Sequence, residues 1–220
     1  MEIKILKKML AANDRVAEEL RNDFSLKNVY AVNMMSSPGS GKTAVIDRTL
    51  ELMGREFRIG VIEGDIETSL DAERLSAHNV PVVSINTGPF GGDCHLESSW
   101  IREASSEIGL DNVDILFIEN IGNLVCPAEF DTGAHTDIVI LSTTEGEDKP
   151  LKYPLVFSKA GLLLINKCDL LDVLDFDIDM LEENARKTNP AIEIIRISAK
   201  TGEGFDKWTD WVKKRKREIH

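Results

Sequence analysis

A short run of small residues, SSPGSGKT at positions 36–43, directly follows the apolar stretch VYAVNMM. Gly39 and Gly41 allow the backbone to curl so that successive N–H groups point inward. Lys42 then supplies a positive charge and Thr43 a hydroxyl group. A loop of this kind behind a buried strand binds phosphates, with the lysine at the β- and γ-phosphates and the hydroxyl on Mg²⁺. The run therefore predicts a nucleotide site.

Two serines of the same loop complete the prediction. The usual pattern is G-x-x-x-x-G-K-[ST], and this chain has Ser36 in place of the first glycine. We expect the change to be tolerated because serine is small. Ser40 lies between the two glycines, and its backbone N–H is expected to contact the phosphates.

Two acidic residues follow apolar strand patterns and extend the candidate site. Asp65 lies in EGDIE and Glu119 in FIENIG. A carboxylate at such a position can hold Mg²⁺ or orient the attacking water. We expect Asp65 to contribute to the Mg²⁺ site with Thr43, and Asp65, Glu119 and Lys42 to be the catalytic candidates. Gly122 is expected to donate its N–H to the γ-phosphate.

The segment NKCD at 166–169 indicates which base is bound. Asp169 can accept hydrogen bonds from N1–H and the 2-amino group of guanine, whereas adenine offers neither donor and would leave a buried carboxylate unpaired. Lys167 would lay its aliphatic stem over the base, and Asn166 would tie this loop to the phosphate loop. These residues predict GTP and GDP as ligands.

A second segment supports the guanine assignment. Ser198, Ala199 and Lys200 form an S-A-K sequence behind another strand pattern. The Ala199 N–H is expected to meet the guanine O6. Each segment alone is a modest signal, but their order after a phosphate loop makes accident improbable.

The elements that must position these residues alternate along the chain. Nearly continuous apolar runs predict strands buried on both faces, hence an α/β fold with a mainly parallel sheet and helices on both sides. The strand candidates are 29–35, 57–63, 80–85, 114–119, 137–143, 161–166 and 192–198. The helix candidates are 3–23, 41–54, 69–78, 96–108, 174–188 and 204–218.

Length and charge limit the remaining possibilities. With 220 residues, we expect a leading helix at 1–25 and one nucleotide-binding domain with a metal site at 26–220. A net charge of −12 argues against nucleic-acid binding. The chain has no apolar run of roughly 18 residues and no secretory leader, so we expect no membrane partner and a cytoplasmic location.

Three cysteines and a histidine suggest a second site. An odd number of cysteines in such a chain favours thiols or metal ligands over disulfides. Cys94 and His95 lie in a glycine-rich loop, and Cys126 lies in a loop leaving a strand. Thiolates and imidazole suit Zn²⁺ and Ni²⁺, and a fourth ligand could be water or come from a second copy. Cys168 is expected to pack beside the base loop.

The spacing of Gly122 and Cys126 suggests how the two sites communicate. Four residues reach at most about 14 Å, so a shift of Gly122 at the γ-phosphate must be felt at Cys126. The hypothesis is that GTP favours a dimer whose shared thiolates hold a metal ion, which hydrolysis releases.

The order of phosphate loop, acidic strand end, E-x-x-G, N-K-x-D and S-A-K resembles P-loop GTPases of the signal-recognition and metal-insertion class. These usually sandwich nucleotide between two copies. The segments DCHLE, ENIGNLVCPAEFD and LSTTEGEDKPLKYPLVF further resemble the HypB family of hydrogenase nickel-incorporation GTPases.

The family resemblance implies metal ligands at Cys94, His95 and Cys126, and slow GTP hydrolysis. It also implies a GTP-dependent homodimer that delivers nickel to the large subunit of a nickel–iron hydrogenase with a small metallochaperone partner. This chain lacks the N-terminal cysteine motif and the histidine-rich stretches of some members. Tight nickel storage is therefore not expected, and the metal is Ni²⁺ or Zn²⁺.

Three other interpretations remain open at this point. Urease accessory GTPases are a sister family, but they carry Cys-Pro-His where this chain reads Cys126-Pro127-Ala128. A zinc- or nickel-binding regulatory protein could retain only weak GTPase activity. An ATP-using P-loop enzyme would need no guanine discrimination at Asp169.

Overall fold

The computed structural model describes residues 2–65, 70–88 and 94–219, with side chains described from residue 8 onward and not for residue 70. In this part of the chain, seven strands form one sheet in the order β3-β2-β4-β1-β5-β6-β7, and every neighbouring pair is parallel. The strands are β1 (Tyr30–Ser36), β2 (Ile59–Asp65), β3 (Val82–Asn86), β4 (Ile115–Gly122), β5 (Thr136–Ser142), β6 (Leu162–Asn166) and β7 (Glu193–Arg196).

Eight α-helices are described around this sheet. They are α1 (Glu2–Leu26), α2 (Lys42–Met53), α3 (Leu70–Ser76), α4 (Ser98–Ile108), α5 (Lys149–Lys152), α6 (Pro154–Lys159), α7 (Ile178–Thr188) and α8 (Phe205–Arg217). Because the strands are parallel, their carboxyl ends lie along one edge, and the loops at that edge carry the predicted site residues.

The two faces of the sheet are buried by different helices. Along β1, Val32 and Met34 pack in one apolar cluster with residues of α2 and α8. The largest fully buried side chain of this cluster is Trp208 of α8. On the opposite face of the strand, Ala31 packs in a second cluster with α1 and α4, and Met35 packs in a third with α6 and α7. Alternate side chains of a strand point to opposite faces, so a nearly continuous apolar run suits this arrangement.

The leading helix α1 is fixed to the rest of the fold by apolar and polar contacts. Phe24 is fully buried. Arg21 forms a bidentate ion pair with Asp131 at 2.6 and 2.7 Å. Asn13 donates to the Asp131 carbonyl at 2.8 Å and accepts from the Ser98 N–H at 2.9 Å. The contacts of Asn13 connect α1 to the beginning of α4, immediately after the Cys94 loop.

The predicted parallel α/β fold with helices on both faces is confirmed, and each predicted strand overlaps an observed one. The second strand lies two residues later than predicted, at Ile59–Asp65 rather than 57–63. The prediction missed α5 and α6, which have four and six residues and each carry proline in the first turn. The predicted helix at 69–78 is observed from Leu70, and residue 69 lies outside the described part. None of the described helices is long and apolar enough to span a membrane.

His135 gives the fold a pH dependence. Its Nδ1 accepts from the Ala31 N–H at 3.1 Å and its Nε2 lies 3.0 Å from Ser25 Oγ, so both contacts fit the neutral imidazole. Burial, with the charges of Arg21 and Lys216, lowers the pKa of His135 to about 4.

In the unfolded chain, His135 is protonated near its ordinary pKa of about 6.5. The folded protein disfavours protonation of His135. The stability that the neutral imidazole contributes is therefore fully present above about pH 6.5 and is lost as the pH falls toward 4. We expect the free energy of unfolding to drop less between pH 7 and pH 5 in His135→Asn than in the wild type. Urea denaturation at both pH values measures the difference. Parallel losses in the two proteins would contradict the assignment.

Candidate nucleotide and metal site

The phosphate loop lies at the carboxyl end of β1 and leads directly into α2. Gly39 and Gly41 have φ values of 75° and 93°, which L side chains rarely adopt. Ser36 is fully buried, and its hydroxyl donates to the Ser37 carbonyl at 2.8 Å and accepts from Lys42 Nζ at 2.9 Å. The serine that departs from the usual pattern therefore holds the lysine of the loop.

Asn166 joins the phosphate loop to both base loops. Its amide nitrogen donates to the Ser40 carbonyl at 2.9 Å, and its amide oxygen accepts from the Ala199 N–H at 3.0 Å. A side-chain carbon on Gly41 would lie 2.5 Å from the Asn166 amide nitrogen. Glycine at position 41 is thus required by the close approach as well as by the backbone angle.

Thr43 lies between two carboxylates. Its hydroxyl is 2.7 Å from Glu119 Oε1 and 3.0 Å from Asp71 Oδ2. No hydrogen-bond donor among the described residues reaches Glu119 Oε2, which is buried, and the buried Ser40 hydroxyl is likewise without a partner there. No motif in the sequence indicates Asp71, because it reaches Thr43 only through the packing of α3 beside the phosphate loop.

Burial and like charges shift the protonation of this region. Burial lowers the pKa of Lys42, and the Glu119 charge opposes the shift. Burial raises the pKa of Glu119, opposed by Lys42. The neighbouring Glu63 was also missed by the sequence analysis, although a glutamate inside an apolar run was a signal. Burial raises its pKa to about 7 despite a 2.7 Å hydrogen bond from Ser84. The region therefore has an excess of carboxylates that an added positive charge would stabilise.

Asp65 and Gly122 lie at neighbouring strand ends. Asp65 is the last residue of β2, and its charge acts on both Lys42 and Glu119. Gly122 ends β4, where it pairs with Ser36, and a side-chain carbon there would lie 3.2 Å from Pro38 Cα. Both predicted residues thus face the phosphate loop.

All the residues predicted to recognise the base except Ser198 line a cavity of about 490 Å³. Asp169 lines this cavity, and its Oδ1 accepts from the Ser198 hydroxyl at 2.6 Å. Lys167 Nζ donates to the Gly39 carbonyl at 2.7 Å. Ser198 therefore orients Asp169, while Lys167 adds a second connection to the phosphate loop.

Two details of the cavity differ from the sequence expectation. The Ala199 N–H already donates to Asn166, so a guanine O6 would have to share this donor. The second difference concerns the wall of the cavity formed by α2 and α3, whose residues Asp47, Arg48 and Arg74 were not predicted. Their spacing along the sequence carries no recognisable motif. Lys200 also lines the cavity.

The cysteine prediction requires a correction. Cys94 and Cys126 form a disulfide with a Cα–Cα distance of 6.0 Å, because the loop before α4 meets the turn after β4. Cys168 is a free thiol whose Sγ lies 3.2 Å from the Ile165 carbonyl, and burial raises its pKa. His95 stacks on Phe130 with ring centroids 3.6 Å apart. Within the three described ranges, no three His, Cys, Asp or Glu side chains are arranged to hold a metal ion.

Asn123 connects the cysteine pair to the phosphate loop. Asn123, which directly follows β4, forms an isolated antiparallel β-bridge with Ser36. Its side-chain oxygen accepts from the Val125 N–H at 2.7 Å and the Cys126 N–H at 3.3 Å, and its amide nitrogen lies 3.7 Å from the Cys126 sulfur. One residue thus contacts both the first residue of the phosphate loop and the sulfur-bearing turn. The sequence analysis did not single it out.

A parallel sheet with a glycine-rich loop between β1 and α2, and a polar cavity beyond its carboxyl edge, defines a P-loop nucleotide-binding protein. Residues 30–196 match the family model described as CobW/HypB/UreG, nucleotide-binding domain. The chain belongs to this family and, within it, to the HypB hydrogenase maturation factors.

Two HypB relatives and one protein of similar fold illustrate the comparison. The hydrogenase maturation factor HypB of Azotobacter vinelandii is 48% identical over 214 residues, which cover 97% of this chain and 70% of the relative. The crystal structure of HypB from Helicobacter pylori in complex with nickel is 37% identical, with a TM-score of 0.87 and coverage of 94% and 96%. The signal recognition particle receptor FtsY from Elizabethkingia anophelis is 14% identical, with a TM-score of 0.54 and coverage of 84% and 65%. This last likeness concerns the fold alone.

The two loop glycines provide a test of the site geometry. Alanine at either position incurs the left-handed backbone penalty of about 1–2 kcal/mol. Gly41→Ala also collides with Asn166, whereas no atom of the described residues lies within 4 Å of an added carbon at Gly39. We expect Gly41→Ala to lower the free energy of unfolding more than the matched variant Gly39→Ala. Urea denaturation without nucleotide measures both. Equal losses would show that Asn166 does not constrain the loop.

Proposed function

We propose that this chain binds and slowly hydrolyses GTP and uses the nucleotide state to control a homodimer that delivers nickel to a nickel–iron hydrogenase. The observation that carries the proposal is the contact of Asn123 with both Ser36 and Cys126, since it joins a phosphate loop to a pair of sulfurs. The nickel complex of the Helicobacter pylori relative supports the choice of metal.

Binding of the triphosphate rests on groups that already converge. Backbone amides of the curled loop and the charge of Lys42 neutralise phosphate oxygens. The cavity end lined by Asp169 and Lys167 takes guanine, because Asp169 accepts two hydrogen bonds that adenine does not offer. Asn166 fixes the separation between these two ends through Ser40 and Ala199.

The carboxylates around Thr43 fit Mg²⁺. The buried, unpaired oxygen of Glu119 and the surrounding acidic groups form a set of oxygen donors, and Mg²⁺ needs only one or two carboxylates beside the substrate phosphates. Thr43 and Asp65 would hold the ion, with Glu119 nearby. When bound, Mg²⁺ supplies the positive charge that offsets the β- and γ-phosphates. Glu119 or Asp65 orients the attacking water.

The cysteine pair limits when nickel can bind. In the disulfide neither sulfur is a thiolate, so the metal-binding form is the reduced one, which a reducing cytoplasm maintains. Since one chain does not gather three donors in the described residues, we propose that two copies contribute Cys94, His95 and Cys126 to a shared site. Release of γ-phosphate moves Gly122, and Asn123 transmits the movement to Cys126. A small metallochaperone would supply the nickel, and the hydrogenase large subunit would receive it.

Guanine selectivity is tested with Asp169→Asn. We expect its affinity for GTP to fall on the order of 100-fold because the amide offers a donor where guanine also has donors. Affinity for xanthosine triphosphate, which presents an acceptor there, should rise. Isothermal titration calorimetry with GTP, ATP and xanthosine triphosphate measures the change.

Asp172→Asn is the matched control, since Asp172 is an exposed residue outside the base cavity. Phosphate release from GTP by the wild type, absent in Lys42→Ala, establishes turnover. Unchanged preference in Asp169→Asn, or a wild type that binds ATP as well as GTP, would overturn the guanine assignment.

Coupling is tested by measuring Ni²⁺ affinity after reduction with a phosphine. We expect affinity to be at least about fivefold tighter with a non-hydrolysable GTP analogue than with GDP, together with a dimer detected by light scattering. Asn123→Ala should shrink this ratio, and Cys126→Ser should abolish binding. Cys168→Ser is the matched control and should leave binding intact. Equal affinities in the two nucleotide states would refute coupling.

A further inference from the structure

The base cavity has a charged wall for which the proposed chemistry gives no role. Asp47 and Arg48 project from α2 and Arg74 from α3 into the cavity that Asp169 closes on the other side. Asp47 and Arg48 follow Ala44 at helical spacing, so all three lie on one face of α2.

An ion pair connects the two helices of this wall. Arg74 binds Asp47 Oδ2, and His78 Nε2 lies 2.6 Å from Asp47 Oδ1. Burial acts to raise the pKa of Asp47, but the hydrogen bonds from His78 and Arg74 outweigh it and hold the pKa below its ordinary value. Asp47 therefore remains an ionised acceptor.

The place of the Asp47–Arg74 ion pair in the cavity indicates which part of a bound nucleotide would contact it. The base end of the cavity is set by Asp169 and the phosphate end by Gly41. The sugar joins base to phosphate and must pass along the face of α2. A carboxylate beside a guanidinium offers an acceptor and donors together, which matches a vicinal diol.

We propose that Asp47 and Arg74 bind the ribose hydroxyls of the nucleotide, with His78 positioning the carboxylate. The inference rests on the proposed guanine-nucleotide binding. It also gives α3 two contacts with the site: Arg74 at the sugar, and Asp71 at Thr43. Ribose binding thereby holds α3 against α2.

The test compares GDP with 2′-deoxy-GDP and 3′-deoxy-GDP by isothermal titration calorimetry. We expect the wild type to bind at least one deoxy analogue about tenfold more weakly than GDP, because a hydroxyl hydrogen bond to a charged group is lost. In Asp47→Asn and Arg74→Ala, GDP affinity should fall and the ratio between GDP and that analogue should approach one. Arg74→Lys should restore part of the discrimination.

The ratio between the affinities for GDP and for the deoxy analogue is measured within each protein. A variant that is merely less stable therefore does not imitate a loss of ribose discrimination. Glu56→Gln is the matched control, since it removes a carboxylate from an ion pair with Lys213 outside the cavity. It should keep the wild-type ratio. Equal binding of all three nucleotides by the wild type, or discrimination that survives in both variants, would overturn the ribose assignment. A wild type that binds no guanine nucleotide would instead overturn the proposed function.

Discussion

The hydrogen bond from Thr43 to Glu119 joins the first turn of α2 to β4, next to the point where β4 pairs with β1. The pairing of Ser36 with Gly122 at the same place brings the last residue of β4 against Pro38. The phosphate loop therefore cannot rearrange without affecting the end of β4. Every other part of the site is attached to one of these two segments, since Asn166 and Lys167 hold the base loop to the phosphate loop while Asn123 holds the cysteine turn to β4.

Charge explains why this arrangement suits a cation beside the phosphate loop. Glu63, Asp65, Asp71 and Glu119 surround Lys42, and burial raises the pKa of Glu63 and Glu119. Carboxylates crowded in a buried region are stabilised by a cation and by oriented amides rather than by each other. The site is thus electrostatically incomplete by itself.

The cysteine pair lies at the other end of the Asn123 contact and responds to a different variable. A disulfide there binds no metal ion, whereas two thiols can. In the proposed function, reduction and nucleotide state would both act on this turn, because reduction frees the sulfurs and Asn123 contacts both Ser36 and Cys126. The connection of α1 through Asn13 to the beginning of α4 places the leading helix next to this turn as well.

The sequence by itself determined the parallel α/β architecture, because strands buried on both faces are apolar at most positions. The motif spacing also predicts contacts of Lys42, Asn166 and Asp169 with a nucleotide, and the structure places these residues at the same edge of the sheet. Only the tertiary structure decided the positions of Asp47, Asp71, Arg74 and Asn123, since their partners come from other segments and leave no periodic pattern. The pairing of Cys94 with Cys126 was decided in the same way: the approach of two sulfurs 32 residues apart depends on how two loops meet. Local sequence shows helical and strand periodicity and the spacing of motifs, but it does not show which residues of distant segments lie close together after folding.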